Sequence, residues 1–173
     1  MALNSTRSVG LALALAGLAA AGCGDGADVC PDPQGRCITA RFSFAGGEAF
    51  DFVGAARVSS SKDSWVLAVS DGAHPPWAMA IHWQRSEVAG PGTHTPNLLG
   101  GAVDLFVTRP HPTDASKVRV SNTRHGTLTF TAVSHDSGGA IRGTFDGIRL
   151  VRSSADDTID LTIGGGRFAA TAP

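Results

Sequence analysis

At 173 residues the chain is long enough for one domain with a substantial core and too short for two ordinary ones. Its 14 Lys and Arg nearly balance its 15 Asp and Glu, giving a net charge of −1, and no block of like charge occurs. That balance argues against a nucleic-acid partner, because phosphate binding needs clustered Lys and Arg.

The first element is a leader. Arg7 precedes a small-residue and leucine run over residues 9–23, and no acidic residue comes before Asp25. A charged start, a short apolar run and a small-residue exit predict a secretory signal peptide. The run is too short to span a bilayer, which takes about 20 residues. Its end, Ala20-Ala21-Gly22-Cys23, resembles the lipobox of bacterial lipoproteins. The resemblance implies cleavage before Cys23, a diacylglycerol on its sulfur and acylation of the new amine. The sequence departs from the family at Ala20, where leucine is preferred, and cleavage after Ala21 by the ordinary signal peptidase is the alternative. Gly24 rather than Asp follows the cysteine, so the resemblance implies the outer membrane rather than inner-membrane retention. A freely secreted domain is the other possibility.

Residues 23–37 read as a tether rich in Gly, Pro and Asp. Asp25, Asp28 and Asp32 lack the ordered ligand pattern of a calcium loop and suit a solvated linker. With Cys23 lipidated, Cys30 and Cys37 remain as a pair around the turn-prone residues 31–36. In an exported chain such a pair predicts a disulfide rather than a metal site, since no His or further Cys lies near. The expected organisation is therefore leader 1–22, lipidated and disulfide-closed tether 23–37, and an all-β domain 38–173.

From Ile38 the apolar period is two. Ile38, Ala40, Phe42 and Phe44 form the first apolar face. Phe50 and Phe52 open a second strand running to Val58, with Gly54 as a bulge, before a loop at 59–64. Trp65, Leu67 and Val69 follow, and beyond Asp71-Gly72 so do Trp77, Met79, Ile81 and Trp83, which alternate with Ala78, Ala80 and His82. Residues 84–101 show no clear period. Strands are expected at 103–108 and 117–121, then a hairpin of Leu128, Phe130 and Ala132 with Ile141, Gly143 and Phe145. The apolar parity slips by one after Gly147, which calls for a bend at Asp146-Gly147. Ile159, Leu161 and Ile163 make another strand, and Gly164-Gly165-Gly166 is expected to turn into Phe168. About ten short strands without a helix predict an antiparallel β-sandwich, with a small closed β-barrel as the alternative.

No motif names a reaction. Gly-x-Ser-x-Gly is absent, no glycine loop leads into a helix, and the acidic residues fall mostly beside turns. The six histidines share no i,i+2 or i,i+4 spacing, so neither a metal nor a cofactor is expected. The expectation is a non-catalytic domain. A hydrolase would require two or three of Asp63, His82, His94, Asp104 and His125 to converge in one cleft. The other alternative is a small-molecule carrier whose barrel interior is lined by Trp77, Met79, Ile81 and Trp83, four side chains on one predicted face.

The succession Gly90-Pro-Gly-Thr-His94, Gly126-Thr-Leu-Thr-Phe130, Gly143-Thr-Phe145 and Gly166-Arg-Phe168 resembles an uncharacterised family of small secreted or lipid-anchored all-β proteins of Gram-negative bacteria. There the first motif usually ends in an aromatic residue, where this chain has His94. The resemblance implies the fold and an envelope location, and no activity. The expected role is thus a lipid-anchored envelope protein that binds another envelope protein or a polysaccharide, or serves structurally.

Overall fold

The computed structural model describes residues 30, 32, 34–70, 77–97, 101–110, 118–122, 125–154 and 157–173. Residues 1–29, which include the expected leader, Cys23 and most of the expected tether, lie outside the described residues, as do His74 and His111.

Twelve strands and no helix occur among the described residues. They are β1 (Cys37–Phe44), β2 (Ala49–Ala55), β3 (Arg57–Ser61), β4 (Ser64–Ser70), β5 (Ala78–Gln84) and β6 (Gly92–His94), followed by β7 (Val103–Pro110), β8 (Val118–Asn122), β9 (Thr127–Ala132), β10 (Ala140–Asp146), β11 (Ile148–Ser154) and β12 (Asp157–Thr171). One sheet has the order β2-β1-β12-β10-β9-β6, with β11 also on β12, and the other has the order β3-β4-β5-β7-β8. The sheets pack face to face without closing into a barrel, so the domain is a sandwich and the barrel alternative falls.

Alternation explains the layers. Along β10, Ile141, Gly143 and Phe145 are buried while Arg142, Thr144 and Asp146 are exposed. The inner faces of β1, β2, β4, β5, β7 and β12 supply Phe42, Phe52, Leu67, Ile81, Leu105 and Leu161, all with 0 % exposure. Phe42 and Phe52 stack with centroids 4.7 Å apart. Burying each such side chain contributes about 1.5–3 kcal/mol, and the two inner faces together leave a filled interior.

Three local expectations are corrected. Gly54 is no bulge, because β1 and β2 keep one register through Ile38↔Gly54. A Cβ there would sit 2.3 Å from Val69 Cγ2 and 2.4 Å from the Ser70 carbonyl, so glycine lets β2 pass close to β4. Residues 59–61 are strand, and the chain reverses at Lys62-Asp63 with Lys62 at φ 53°. Gly164–Gly166 is no turn, since β12 runs through it.

β10 and β11 behave as one long strand against β12. Their pairing holds a single register from Ala140↔Thr171 to Phe145↔Gly166 and again from Ile148↔Ile163 to Ser154↔Asp157. Between these blocks the buried residue changes parity on both strands, from Phe145 to Ile148 and from Ile163 to Gly166. Gly147 and Gly165 take φ 61° and 59°, and Asp146 Oδ1 accepts the Gly165 N–H at 3.2 Å. Both strands therefore turn over together, and the predicted bend at Asp146-Gly147 is present. On the other side of β12, β1 absorbs the change by a register shift between Thr39 and Arg41.

Candidate functional site: the outer face of the second sheet

The outer face of the first sheet is largely polar, with Arg41, Thr127, Thr131, Arg142 and Thr144 exposed, and Val151 of β11 is its exposed large hydrophobic residue. The second sheet differs. Where Trp65, Leu67 and Val69 of β4 point inward, Val66 and Ala68 take the outer positions. Ala78 and Ala80 do so on β5, and Phe106 does on β7. Ala68, Ala80 and Phe106 are consecutive partners across three strands. With Arg57, Ser70 and Thr108 at its margins, this surface forms a shallow groove of about 620 Å³. Strands apolar on both faces are the pattern of a sheet covered on both sides.

A polar row adjoins the apolar floor. Val66 of β4, His82 of β5 and Asp104 of β7 are partners in register, and Ser64 stands diagonally across from His82. Ser64 Oγ and His82 Nε2 are 2.9 Å apart. Asp104 is 7 % exposed, and its Oδ1 has no hydrogen-bond partner. Burial pushes its carboxyl above the ordinary value, and the Leu105 N–H and the His82 imidazole offset this only in part.

Of the four predicted ligand-facing side chains, Met79, Ile81 and Trp83 are packed in the sandwich core with 1 %, 0 % and 1 % exposure, and Met79 also borders the groove. Trp83 lies 6.0 Å from Trp65 and 5.4 Å from Phe130, and its indole N–H points to His135 Nε2 at 3.4 Å. Trp77 is half-buried at the other end, among Phe42, Phe44 and Phe50, with the Arg109 guanidinium 5.6 Å from its ring centre.

The residues named for a hydrolase divide. His82 and Asp104 come together. Asp63 instead holds the Ser86 backbone N–H at 2.7 Å and its hydroxyl, and His94 packs on Phe130 at 5.9 Å. His125 is exposed and on no strand. Ser64 was missed because the row is assembled across strands and has no linear motif. The outer apolar positions were legible as the near-continuous runs 65–69 and 78–81, where alternation alone predicts polar residues. No group of three or more metal-ligating side chains occurs among the described residues. The sulfurs of Cys30 and Cys37 lie at bonding distance, with Cα atoms 5.7 Å apart, as a disulfide requires.

No family model, curated protein or solved structure matches the chain. What the fold and the face define is a class: an antiparallel β-sandwich with one largely polar outer sheet face and one that carries an apolar groove beside a polar row.

Proposed function

We propose that the chain is a lipid-anchored envelope protein, held at the outer membrane through acylated Cys23, whose sandwich docks another envelope component on the outer face of the second sheet. The lipobox-like end of the leader supports the anchor. The docking role rests on one observation: Val66, Ala68, Ala78, Ala80 and Phe106 lie together on one outer sheet face, whereas the other outer face is largely polar apart from Val151. Apolar floors edged by a few polar groups are the usual composition of binding surfaces. The partner is an envelope protein or a polysaccharide.

Two measurements test this. Intact mass of the membrane-extracted chain is expected to match a protein beginning at Cys23 with three acyl chains, and Cys23→Ser is expected to abolish the modification. An unmodified mass beginning near Gly22 would end the anchor reading. A photo-crosslinking residue at Ala68 or Phe106 is expected to capture an envelope component in cells, while one at Thr131 is not. Equal capture from both faces, or none from either, would remove the docking role.

A further inference from the structure

We infer that Ser64, His82 and Asp104 act as nucleophile, base and positioning residue for acyl transfer from a carboxylic ester whose apolar acyl group occupies the adjoining groove. The inference goes beyond docking by giving the same face a reaction.

Geometry comes first. The three residues sit on three neighbouring strands and share one face, so the sheet ladder fixes their spacing. Ser64 Oγ lies 2.9 Å from His82 Nε2, within the reach a general base needs to take a hydroxyl proton. Both side chains are half-buried and reachable from solvent.

Asp104 carries the second observation. A buried carboxylate oxygen without a hydrogen bond destabilises a fold, and stability alone would not keep it. At 7 % exposure it is closed to a ligand as well. The group placed to use its charge is His82, its direct cross-strand partner. In Ser-His-Asp systems the buried acid is hydrogen-bonded to the imidazole and stabilises the imidazolium formed during reaction. No hydrogen bond joins Asp104 to His82 here, so Asp104 acts on the ring through its charge alone.

The groove supplies the substrate class. Val66 is the partner of His82, Ala80 precedes His82 on the same face, and Phe106 follows Asp104 on the same face. An ester carbonyl at Ser64 would therefore have an apolar floor beside it for its acyl group.

The step balances without a further reagent. Ser64 Oγ bonds to the ester carbonyl carbon while His82 Nε2 takes the hydroxyl proton. The carbon–oxygen bond to the alcohol breaks, and the departing oxygen takes that proton from His82. Water, deprotonated by the same nitrogen, then attacks acyl-Ser64, releases the carboxylic acid and restores the hydroxyl. Ester and water become acid and alcohol.

The test uses the full membrane-extracted chain with a fluorophosphonate probe and with p-nitrophenyl acetate, butyrate and octanoate. The expected result is one covalent adduct, mapped to Ser64, forming faster with butyrate than with acetate. Ser64→Ala is expected to abolish it, and His82→Gln to slow labelling by about 100-fold or more. Asp104→Asn is expected to slow labelling and to move its pH midpoint downward, because the imidazolium loses a compensating charge; a merely structural Asp104 would leave the midpoint in place. No wild-type adduct, an adduct elsewhere, or labelling unchanged in His82→Gln would overturn the inference. Should a variant fail to fold by circular dichroism, the position of the wild-type adduct decides. A face that crosslinks to a partner but forms no adduct sinks the reaction and leaves docking standing.

Discussion

Gly143 lies directly opposite Phe168 across β10 and β12, and the ring of Phe168 fills the space a Cβ on Gly143 would need. The relationship is reciprocal two residues on, where Phe145 covers Gly166 in the same way. Gly143 also pairs with Phe130 on its other side, and Phe130 pairs with Gly92. One row of the first sheet thus reads Gly92, Phe130, Gly143, Phe168, Ile38, Gly54, with small and large residues largely alternating. The glycine-led motifs of the sequence are the two halves of these pairs. A Cβ on Gly143 would stand 2.2 Å from the Thr129 carbonyl and 2.4 Å from Phe168 Cζ, so something must move. Gly143→Ala is expected to destabilise by about 1–3 kcal/mol through overpacking. Gly46→Ala, with nothing within 4 Å, is expected to be near neutral. Urea midpoints of the two variants check this.

The shared bend of β10–β11 and β12 makes a second prediction. Gly147 and Gly165 both take positive φ, which costs an L-residue about 1–2 kcal/mol. Neither would meet a neighbour through a Cβ, so the cost is purely conformational. Gly147→Ala and Gly165→Ala should each lower the midpoint by that amount. Gly147→Asn should lower it less, because asparagine tolerates the left-handed region. Equal losses for alanine and asparagine would place the cost elsewhere.

How much of this was readable follows from the same residues. The period of two places Phe42, Leu67, Ile81 and Phe145 on buried faces, and all four are buried. The slip at Gly147 announces the bend because parity is a local property of the chain. The matching slip on β12 looked like a turn, since Gly164-Gly165-Gly166 is locally indistinguishable from one. Which sheet a strand joins is not local. β2 and β3 read as one strand, yet the chain changes sheet at Ala56. The Ser64, His82 and Asp104 row depends on the β4-β5-β7 register, so no spacing in the sequence could show it.

His135 makes the third prediction. Its ring packs edge-on to Trp65 at 4.8 Å and accepts the Trp83 indole N–H, an arrangement that needs a neutral Nε2. Burial first, then the Arg85 guanidinium, holds its pKa below the ordinary 6.5, against the opposing pull of Asp136 and Asp63. Above 6.5 folded and unfolded chains both carry the neutral ring, and the contribution is whole. As the pH falls through 6.5 the unfolded chain takes up the proton first, so stability is lost toward the lowered folded value. Thermal melts between about pH 7.5 and about pH 5 are expected to fall more for wild type than for His135→Gln, whose amide oxygen can still accept from Trp83. Parallel falls would show that His135 is not the titrating group.

Asp104 supplies the last prediction, and its sign is opposite. Burial raises its pKa above 3.8, so the folded chain binds this proton more tightly than the unfolded one. The protonated form's contribution is whole below 3.8 and is lost as the pH rises through the raised value, where the unpartnered oxygen takes on charge inside the sheet. Asp104→Asn removes the charge and keeps the shape. It is expected to stabilise the chain at pH 7 by on the order of 1 kcal/mol, seen as a melting temperature roughly 2–4 °C higher. The gain should vanish below about pH 3.8, where wild type is itself protonated. A variant that is more stable yet slower to label at Ser64 would mark Asp104 as kept for reactivity at the expense of the fold. A variant less stable at pH 7 would mean that the carboxylate holds the sheet together, and the positioning role would lose its main support.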